Sequence, residues 1–358
     1  MLPTRAPGSR SLADVLASSA QAMRGERNAL GLPAVAGAVV LLVDGLGAAQ
    51  LGQRAGHART LAGAPGGSLD AGFPSTTAVS LASLTTGALA GEHGLVGYDA
   101  FVPGHGVRNQ LRDWGGPMDP ARWQRRPTLF ESTRSVVVAE AKHADSGFTR
   151  AVLRGAEYRG ARALADRFAL AERAARERSL VYLYVPELDR AGHESGWQSD
   201  DWIDALEELD GLVAGLVATL PRDVGLVATA DHGMVDVDAS AHRIVPRELL
   251  ARVTDVAGEP RCLQLQVDGE ADAVADDWRA WLGDGAWVAT RQQVIDAGWL
   301  GEVHPEVAPR LGDVFVAARG RAAIYVDELD PARGMVGQHG SLTQDELRVP
   351  LRRFGAFA

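Results

Sequence analysis

The chain has 358 residues, 46% hydrophobic and 23% charged, a balance that excludes a disordered or collagen-like protein. Its 36 basic and 46 acidic residues give a net charge of −10, which argues against a broad basic face for a nucleic-acid duplex or an anionic membrane. One cysteine, Cys262, excludes an internal disulfide framework and suits a reducing compartment.

From the N-terminus, Leu12 to Met23 carries apolar residues at helical spacing and predicts an amphipathic helix. The preceding stretch lacks the order of charge, apolar run and cleavage site that marks a secretory signal. The longest apolar run near the start, Ala34 to Val43, is ten residues, against the roughly 20 needed to cross a bilayer. The expected location is therefore cytoplasmic, without a membrane segment. Gly37 to Val43 is continuous and β-branched and ends at Asp44-Gly45-Leu46-Gly47, as a buried strand would. Ser75 and Thr76 then stand as helix-capping residue types before an apolar helix, Thr77 to Thr86. From about Asp99 to Pro127, Gly, Pro, Arg and Trp predict a long loop near the mouth of a site, carrying Arg108 and Arg112.

A second buried strand, Leu180 to Val185, stops at Pro186-Glu187-Leu188-Asp189. A long helix from about Asp200 to Leu220 follows, with Trp202, Leu206, Leu209, Val213 and Leu216 on one face. A third strand, Val224 to Thr229, stops at Ala230-Asp231-His232-Gly233. Residues 246–336 change rhythm: strands at 261–267, 287–290, 314–317 and 323–326 and a helix at 272–282 predict an α+β insertion or lobe. Trp278, Trp281 and Trp287 read as its core. Residues 1–245 and 337–358 are left as the core unit. Apolar strands separated by helices predict an α/β fold with a doubly wound, mostly parallel sheet. Ligands bind such sheets beyond the carboxyl ends of the strands.

All three strands end in acidic or acidic-plus-histidine loops. Asp44, Asp189-x-x-x-His193, Asp231-His232 and the glycine-flanked His339 supply three carboxylates and three imidazoles. Hard carboxylates mixed with imidazoles are the ligand set of Zn²⁺ or Mn²⁺, and two ions need about this many ligands. A hydroxyl at the start of the helix 77–86 would lie where free N–H groups and the helix dipole favour an anion such as phosphate. His57, His105, His143, His242 and His304 have no partner at telling spacing and read as surface or loop residues.

The ordered set Val43-Asp44-Gly45, Phe73-Pro-Ser-Thr-Thr77, Thr86-Gly87 with His93-Gly94, Glu187-Leu-Asp189-x-x-x-His193, Ala230-Asp231-His232-Gly233 and Gly337-Gln-His339-Gly340 resembles the alkaline phosphatase superfamily. Within it, the likeness is to the type I phosphodiesterase/nucleotide pyrophosphatase family, over about residues 37 to 345. The resemblance implies an alkaline-phosphatase-like core with two metal ions, zinc by preference and manganese as the alternative. It implies one ion on Asp189, His193 and His339 and the other on Asp44, Asp231, His232 and the nucleophile. By the family motif the nucleophile is Thr77, with Thr76 as the lesser candidate. Where family diesterases often carry an asparagine that donates to a phosphoryl oxygen, this sequence has Tyr98. The segment Arg310-Leu-Gly-Asp313 also recurs in the family, as an organiser of a turn near the site, and His93 is read as structural.

The implied activity is two-metal hydrolysis of phosphodiester or pyrophosphate bonds in a small-molecule phosphate ester, through a phospho-threonine. A phosphomonoesterase or phosphonate hydrolase is the alternative, followed by a phosphomutase and a non-catalytic metal-binding protein. The sequence sets no oligomeric state.

Overall fold

A computed structural model describes residues 2–6 and 8–358. In chain order the strands are β1 (Gly37–Val43), β2 (Gly66–Asp70), β3 (Asp99–Val102), β4 (Gly106–Asn109), β5 (Ser135–Ala139), β6 (Glu157–Gly160), β7 (Leu180–Val185) and β8 (Val224–Thr229). They continue with β9 (Val235–Asp236), β10 (His242–Ile244), β11 (Val253–Glu259), β12 (Cys262–Val267), β13 (Ala286–Thr290), β14 (Val314–Ala318), β15 (Ala323–Tyr325), β16 (Gly337–Gln338) and β17 (Arg348–Gly355).

Seven strands form the central sheet, in the order β2-β17-β8-β1-β7-β5-β6. The run β8-β1-β7-β5-β6 is parallel, and β17 lies antiparallel to both β8 and β2. Every residue of β1, β5 and β8 is buried, so both faces of the sheet are covered by other elements. This is the doubly wound α/β architecture that apolar strands without polar alternation require. The predicted strands 37–43, 180–185 and 224–229 are β1, β7 and β8, and the long helix spans Asp200–Thr219.

A second, antiparallel sheet has the order β11-β12-β14-β13. Side-chain alternation along β14 explains its place: Phe315 and Ala317 join the main core, while Val314, Val316 and Ala318 join a separate cluster with Val274 and Trp278 of the helix Ala271–Leu282. One face thus packs on the central body and the other on its own helix. Trp278 is fully buried in this cluster with Trp281 beside it, but Trp287 packs against the main core instead. Strand β11 was not expected, because its Thr-Asp-Val-Ala-Gly run has little apolar content.

The expected long loop after residue 98 is in part a β-hairpin. Asp99 pairs with Asn109 and Val102 with Gly106, around a Pro103-Gly104-His105 turn. The Asn109 side-chain amide donates to Asp99 at 2.9 Å, closing the open end. Two four-residue strands carry too little period for sequence reading to find them. Among the described residues no helix is long and apolar enough to cross a membrane.

His93 shows why one histidine is structural. It is fully buried, and the Leu95 backbone N–H donates to its Nδ1 at 3.1 Å. The ring proton therefore sits on Nε2, which faces Ser83 Oγ at 3.0 Å. A second proton on Nδ1 would oppose the Leu95 N–H, and burial, with the Arg310 charge nearby, holds this imidazole down at about 3. Arg310 donates to the Gly94 and Trp123 carbonyls at 2.8 and 2.6 Å and lies over the Trp123 ring, so it braces this turn. The unfolded chain then binds a proton that the native chain refuses, so stability is lost as pH falls below the free histidine's range. At about 1.4 kcal/mol per pH unit, the loss reaches on the order of 4 kcal/mol near pH 3. Melting temperatures of wild type and His93→Gln should converge as pH drops from 7 to 4. Parallel curves would contradict this account.

Candidate active site

Strands β8, β1 and β7 are neighbours and run parallel, so the loops that leave their carboxyl ends emerge side by side. They carry Asp231-His232, Asp44 and Asp189, respectively. Sheet order alone brings together residues separated by more than a hundred positions. Gly45 turns the first loop at φ +75°, and a Cβ there would lie 3.0 Å from the Asp189 backbone. At Gly233 a Cβ would lie 2.0 Å from the Asp345 carbonyl, so only glycine lets the third loop pass.

Two groups of ligand-type atoms result. Donor atoms of Asp189, His193 and His339 lie within 4.8 Å of one another, as do those of Asp44, Asp189 and His232. Asp189 therefore stands between the two groups. Asp231 adjoins the second group: its Oδ2 is 3.5 Å from His232 Nε2, while Oδ1 accepts from the Gly45 and His232 backbone N–H groups at 3.2 and 3.0 Å. Thr77 opens the helix Thr77–Thr86, and its Oγ1 is 3.3 Å from His232 Nε2.

All three imidazoles are oriented the same way. His193 Nδ1 meets the Gly337 carbonyl at 2.7 Å, His339 Nδ1 the Ser75 carbonyl at 2.9 Å, and His232 Nδ1 the Gly233 carbonyl at 3.1 Å. A carbonyl only accepts, so each Nδ1 carries a proton, and in the neutral ring each Nε2 presents a lone pair. Those lone pairs face carboxylate oxygens: His193 to Asp189 at 3.3 Å, His232 to Asp44 at 3.3 Å, and His339 to Asp189 at 3.8 Å. Acceptor facing acceptor repels unless a cation lies between. The buried oxygens Asp44 Oδ1, Asp189 Oδ1 and Asp231 Oδ2 also lack any hydrogen-bond partner. Unpaired buried charges of this kind are costly, and together with the lone pairs they fit a divalent-metal centre.

Without metal the electrostatics are unfavourable in the expected directions. Burial first, then Asp231 and Asp189, pushes the Asp44 carboxyl well above its usual range. Asp231 is pushed up to about 7, chiefly by burial. Burial, and then His232 and His193, hold His339 well below the ordinary imidazole value, and its ring stacks on His232 at 3.5 Å.

The neighbouring helix start differs from expectation in one respect. Thr76 occupies the capping position but caps with no side-chain bond, and its hydroxyl is buried without a hydrogen-bond partner. Ser75 instead donates to the Ser341 carbonyl at 2.7 Å and accepts from Gly340 N–H at 3.2 Å, tying this turn to the His339 loop. Tyr98 is half-buried on the wall of the cavity that holds Thr77, and burial raises its hydroxyl above the ordinary tyrosine value. Arg112 lies on the same wall, whereas Arg108 does not. Of the histidines set aside, His57 pairs with Glu207 at 2.8 Å and His304 with Arg125 at 2.9 Å, both away from the site.

Three features had no local sequence signal. Tyr184 lies opposite Leu42 in the β1–β7 register, and its hydroxyl donates to Asp44 Oδ2, which leaves Oδ1 turned to the centre. Glu259 ends β11 and is buried with Oε2 3.9 Å from His339 Nδ1; burial, with Asp99 and Glu346, raises its carboxyl well above the ordinary value. Arg261 and Glu346, both fully buried, join the start of β12 to the His339 loop. Each depends on a partner distant in sequence.

Comparison with known proteins adds the lineage. The family model described as type I phosphodiesterase / nucleotide pyrophosphatase matches residues 38–342. No curated protein matches the chain. Among solved structures, an inactive form of murine ectonucleotide pyrophosphatase/phosphodiesterase 5 in complex with AMP superposes with a TM-score of 0.69 at 17% identity, over 89% of this chain and 88% of that one. Its human counterpart gives 0.67 at 16%, over 89% and 88%. Phosphonoacetate hydrolase from Sinorhizobium meliloti 1021, in complex with phosphonoacetate, gives 0.69 at 19%, over 90% and 91%. These likenesses carry the fold, and the family model, covering most of the chain, carries the kinship. The chain belongs to the type I phosphodiesterase/nucleotide pyrophosphatase family of the alkaline phosphatase superfamily and is a hydrolase of that group.

Proposed function

We propose that the protein hydrolyses phosphodiester or pyrophosphate bonds through a phospho-threonine formed on Thr77. The observation that carries this reading is the set of inward-facing Nε2 atoms and unpartnered carboxylate oxygens in two groups, one of which reaches the Thr77 hydroxyl through His232 Nε2 at 3.3 Å. Asp189, His193 and His339 would hold one divalent ion, and Asp44, Asp231 and His232 with Thr77 the other, zinc by preference and manganese as the alternative. Two such ions would lower the pKa of a bound hydroxyl and neutralise charge on the phosphoryl group.

Thr77 Oγ attacks phosphorus as the bond to the departing alcohol or phosphate breaks, with the proton lost from Oγ balanced by one gained on the leaving oxygen. Water then opens the phospho-threonine, restoring Thr77 and releasing the phosphorylated remainder. The N-terminus of the helix Thr77–Thr86 directs free N–H groups toward the phosphoryl oxygens. Tyr98 is assigned a donor role toward one non-bridging oxygen. In this reading residues 246–336 are a lobe on the core formed by 1–245 and 337–358.

The test has two parts. Metal analysis of the reconstituted protein should give about two divalent ions per chain, falling by one in His339→Ala with loss of turnover. An active preparation without metal would end the proposal. In the second part, kcat/KM is compared for p-nitrophenyl phosphate and bis-p-nitrophenyl phosphate, with the diester expected to be preferred. The competing monoesterase reading rests on Arg112, a cation on the cavity wall with no ion-pair partner among the described residues. A tenfold monoester advantage, about 1.4 kcal/mol in transition-state binding, would favour it.

A further inference from the structure

The cavity beside Thr77 has a volume of about 700 Å³, several times what a phosphoryl group occupies. Thr77, Asp189, His193 and His339 line one part of it. Much of the remaining wall is apolar, with Leu111 of the segment after the hairpin, Val256 and Leu263 of the second sheet, and Ile324, Val326 and Met335 of the segment that leads back to His339. Val256, Leu111 and Met335 are only half-buried, so they present carbon surface to whatever fills the space.

A second observation is independent of the cavity. Among the described residues, the only large hydrophobic side chains left exposed are Val326, at 36%, and Leu329, at 85%. Both lie in the loop whose Val326, Asp330, Pro331 and Ala332 border this cavity. Among the described residues the other large hydrophobics are at least partly covered, while these two share one loop beside the cavity. Isolated exposed residues are ordinary, but paired at the rim of a reactive cavity they extend an apolar wall toward solvent.

Charge narrows the class further. Away from the metal-type residues the wall carries Asp99, Glu259 and Asp330 against a single cation, Arg112. An organic group with its own negative charge would meet three acidic side chains and one guanidinium, whereas an uncharged group is spared that opposition.

We infer that this cavity takes the organic group of the substrate, and that the group is a bulky, uncharged, apolar one, esterified to a phosphoryl centre bearing a single negative charge. The inference rests on the phosphodiesterase reading above and names its substrate class. A carboxylate- or phosphate-bearing group is disfavoured by the wall, and a methyl group is too small to cover it. The gain comes from apolar surface withdrawn from water, about three- to fourfold in binding per buried methylene.

The experiment uses four diesters of p-nitrophenyl phosphate, with methyl, hexyl, phenyl and 5-carboxypentyl as the second ester group, on the metal-loaded protein. One leaving group and one phosphoryl charge are common to all. With about two to three of its five additional methylenes buried, the hexyl diester should exceed the methyl diester about thirtyfold in kcat/KM, mostly through KM. The carboxypentyl ester should fall at least tenfold below the hexyl, and the phenyl arm separates an aryl from an alkyl preference. Val326→Asp, on the exposed rim, should shrink the hexyl-to-methyl ratio at least fivefold. A hexyl-to-methyl ratio below ten, or a carboxypentyl ester equal to the hexyl, overturns the inference while methyl diester turnover leaves the phosphodiesterase reading standing. Failure of all four esters in a protein holding two metals overturns both.

Discussion

Replacing Thr77 by alanine should lower kcat by at least about a thousandfold while leaving the fold and most of the metal in place. Alanine is the best helix former, and Thr77 opens its helix without providing the cap, so the backbone has no reason to move. Among the described residues the one hydrogen-bond-range contact of its hydroxyl is His232 Nε2 at 3.3 Å. What is lost is the oxygen that attacks. Thr77→Ser restores that oxygen without the methyl group that limits its rotamers, and should recover part of the rate. Melting temperature and metal content measured beside kcat separate chemistry from folding. A Thr77→Ala protein near wild-type activity would exclude the phospho-threonine on this residue. It would turn attention to Thr76, whose buried hydroxyl borders the same cavity.

Glu346→Ala should cost roughly 3–5 kcal/mol of stability, because it leaves the Arg261 guanidinium buried without its counter-charge. Both side chains are fully buried; Arg261 Nε donates to Glu346 Oε1 at 3.0 Å and the second arm reaches Oε2 at 2.5 Å. The pair does more than balance charge. Glu346 Oε1 also accepts from the Ser341 N–H at 3.0 Å, two residues beyond His339, and its backbone carbonyl accepts from the Gly233 N–H at 2.8 Å, next to His232. Thr343 donates to Oε2 as well. One residue thus meets the two loops that present His339 and His232, the first through its carboxylate and the second through its backbone carbonyl. A paired replacement, Arg261→Met with Glu346→Leu, removes the buried charges together and should recover most of the stability, as apolar substitutes for buried ion pairs often do. It should not recover metal affinity, since the Ser341 N–H still lacks its acceptor. Thermal unfolding and metal titration of the single and paired variants check this. Wild-type metal affinity in the paired variant would reduce Arg261–Glu346 to a stability element alone.

Much of the architecture was legible because it is local. Buried parallel strands read as unbroken apolar runs, and β1, β7 and β8 fall where those runs end in acidic loops. A long helix with one apolar face needs only its period, and Asp200–Thr219 follows it. The order of motifs along the chain pointed to the family before any distance was known, since Asp44, Thr77, Asp189, His193, Asp231, His232 and His339 each stand in a recognisable short context.

Tertiary structure decided what depends on register and on partners. The neighbouring order of β8, β1 and β7 makes three separate loop ends into one site, and no local pattern states which strands adjoin. The same pairing sets Tyr184 against Asp44, and a fold-wide approach brings Glu259 of β11 to His339. The hairpin at 99–109 was missed because its two short strands are held by a cross-strand bond and by packing rather than by period. Nothing in the sequence marks Arg261 and Glu346 as buried, since charged residues are nearly always exposed unless paired. Their burial follows from a partner 85 positions away, and only the folded chain supplies that partner.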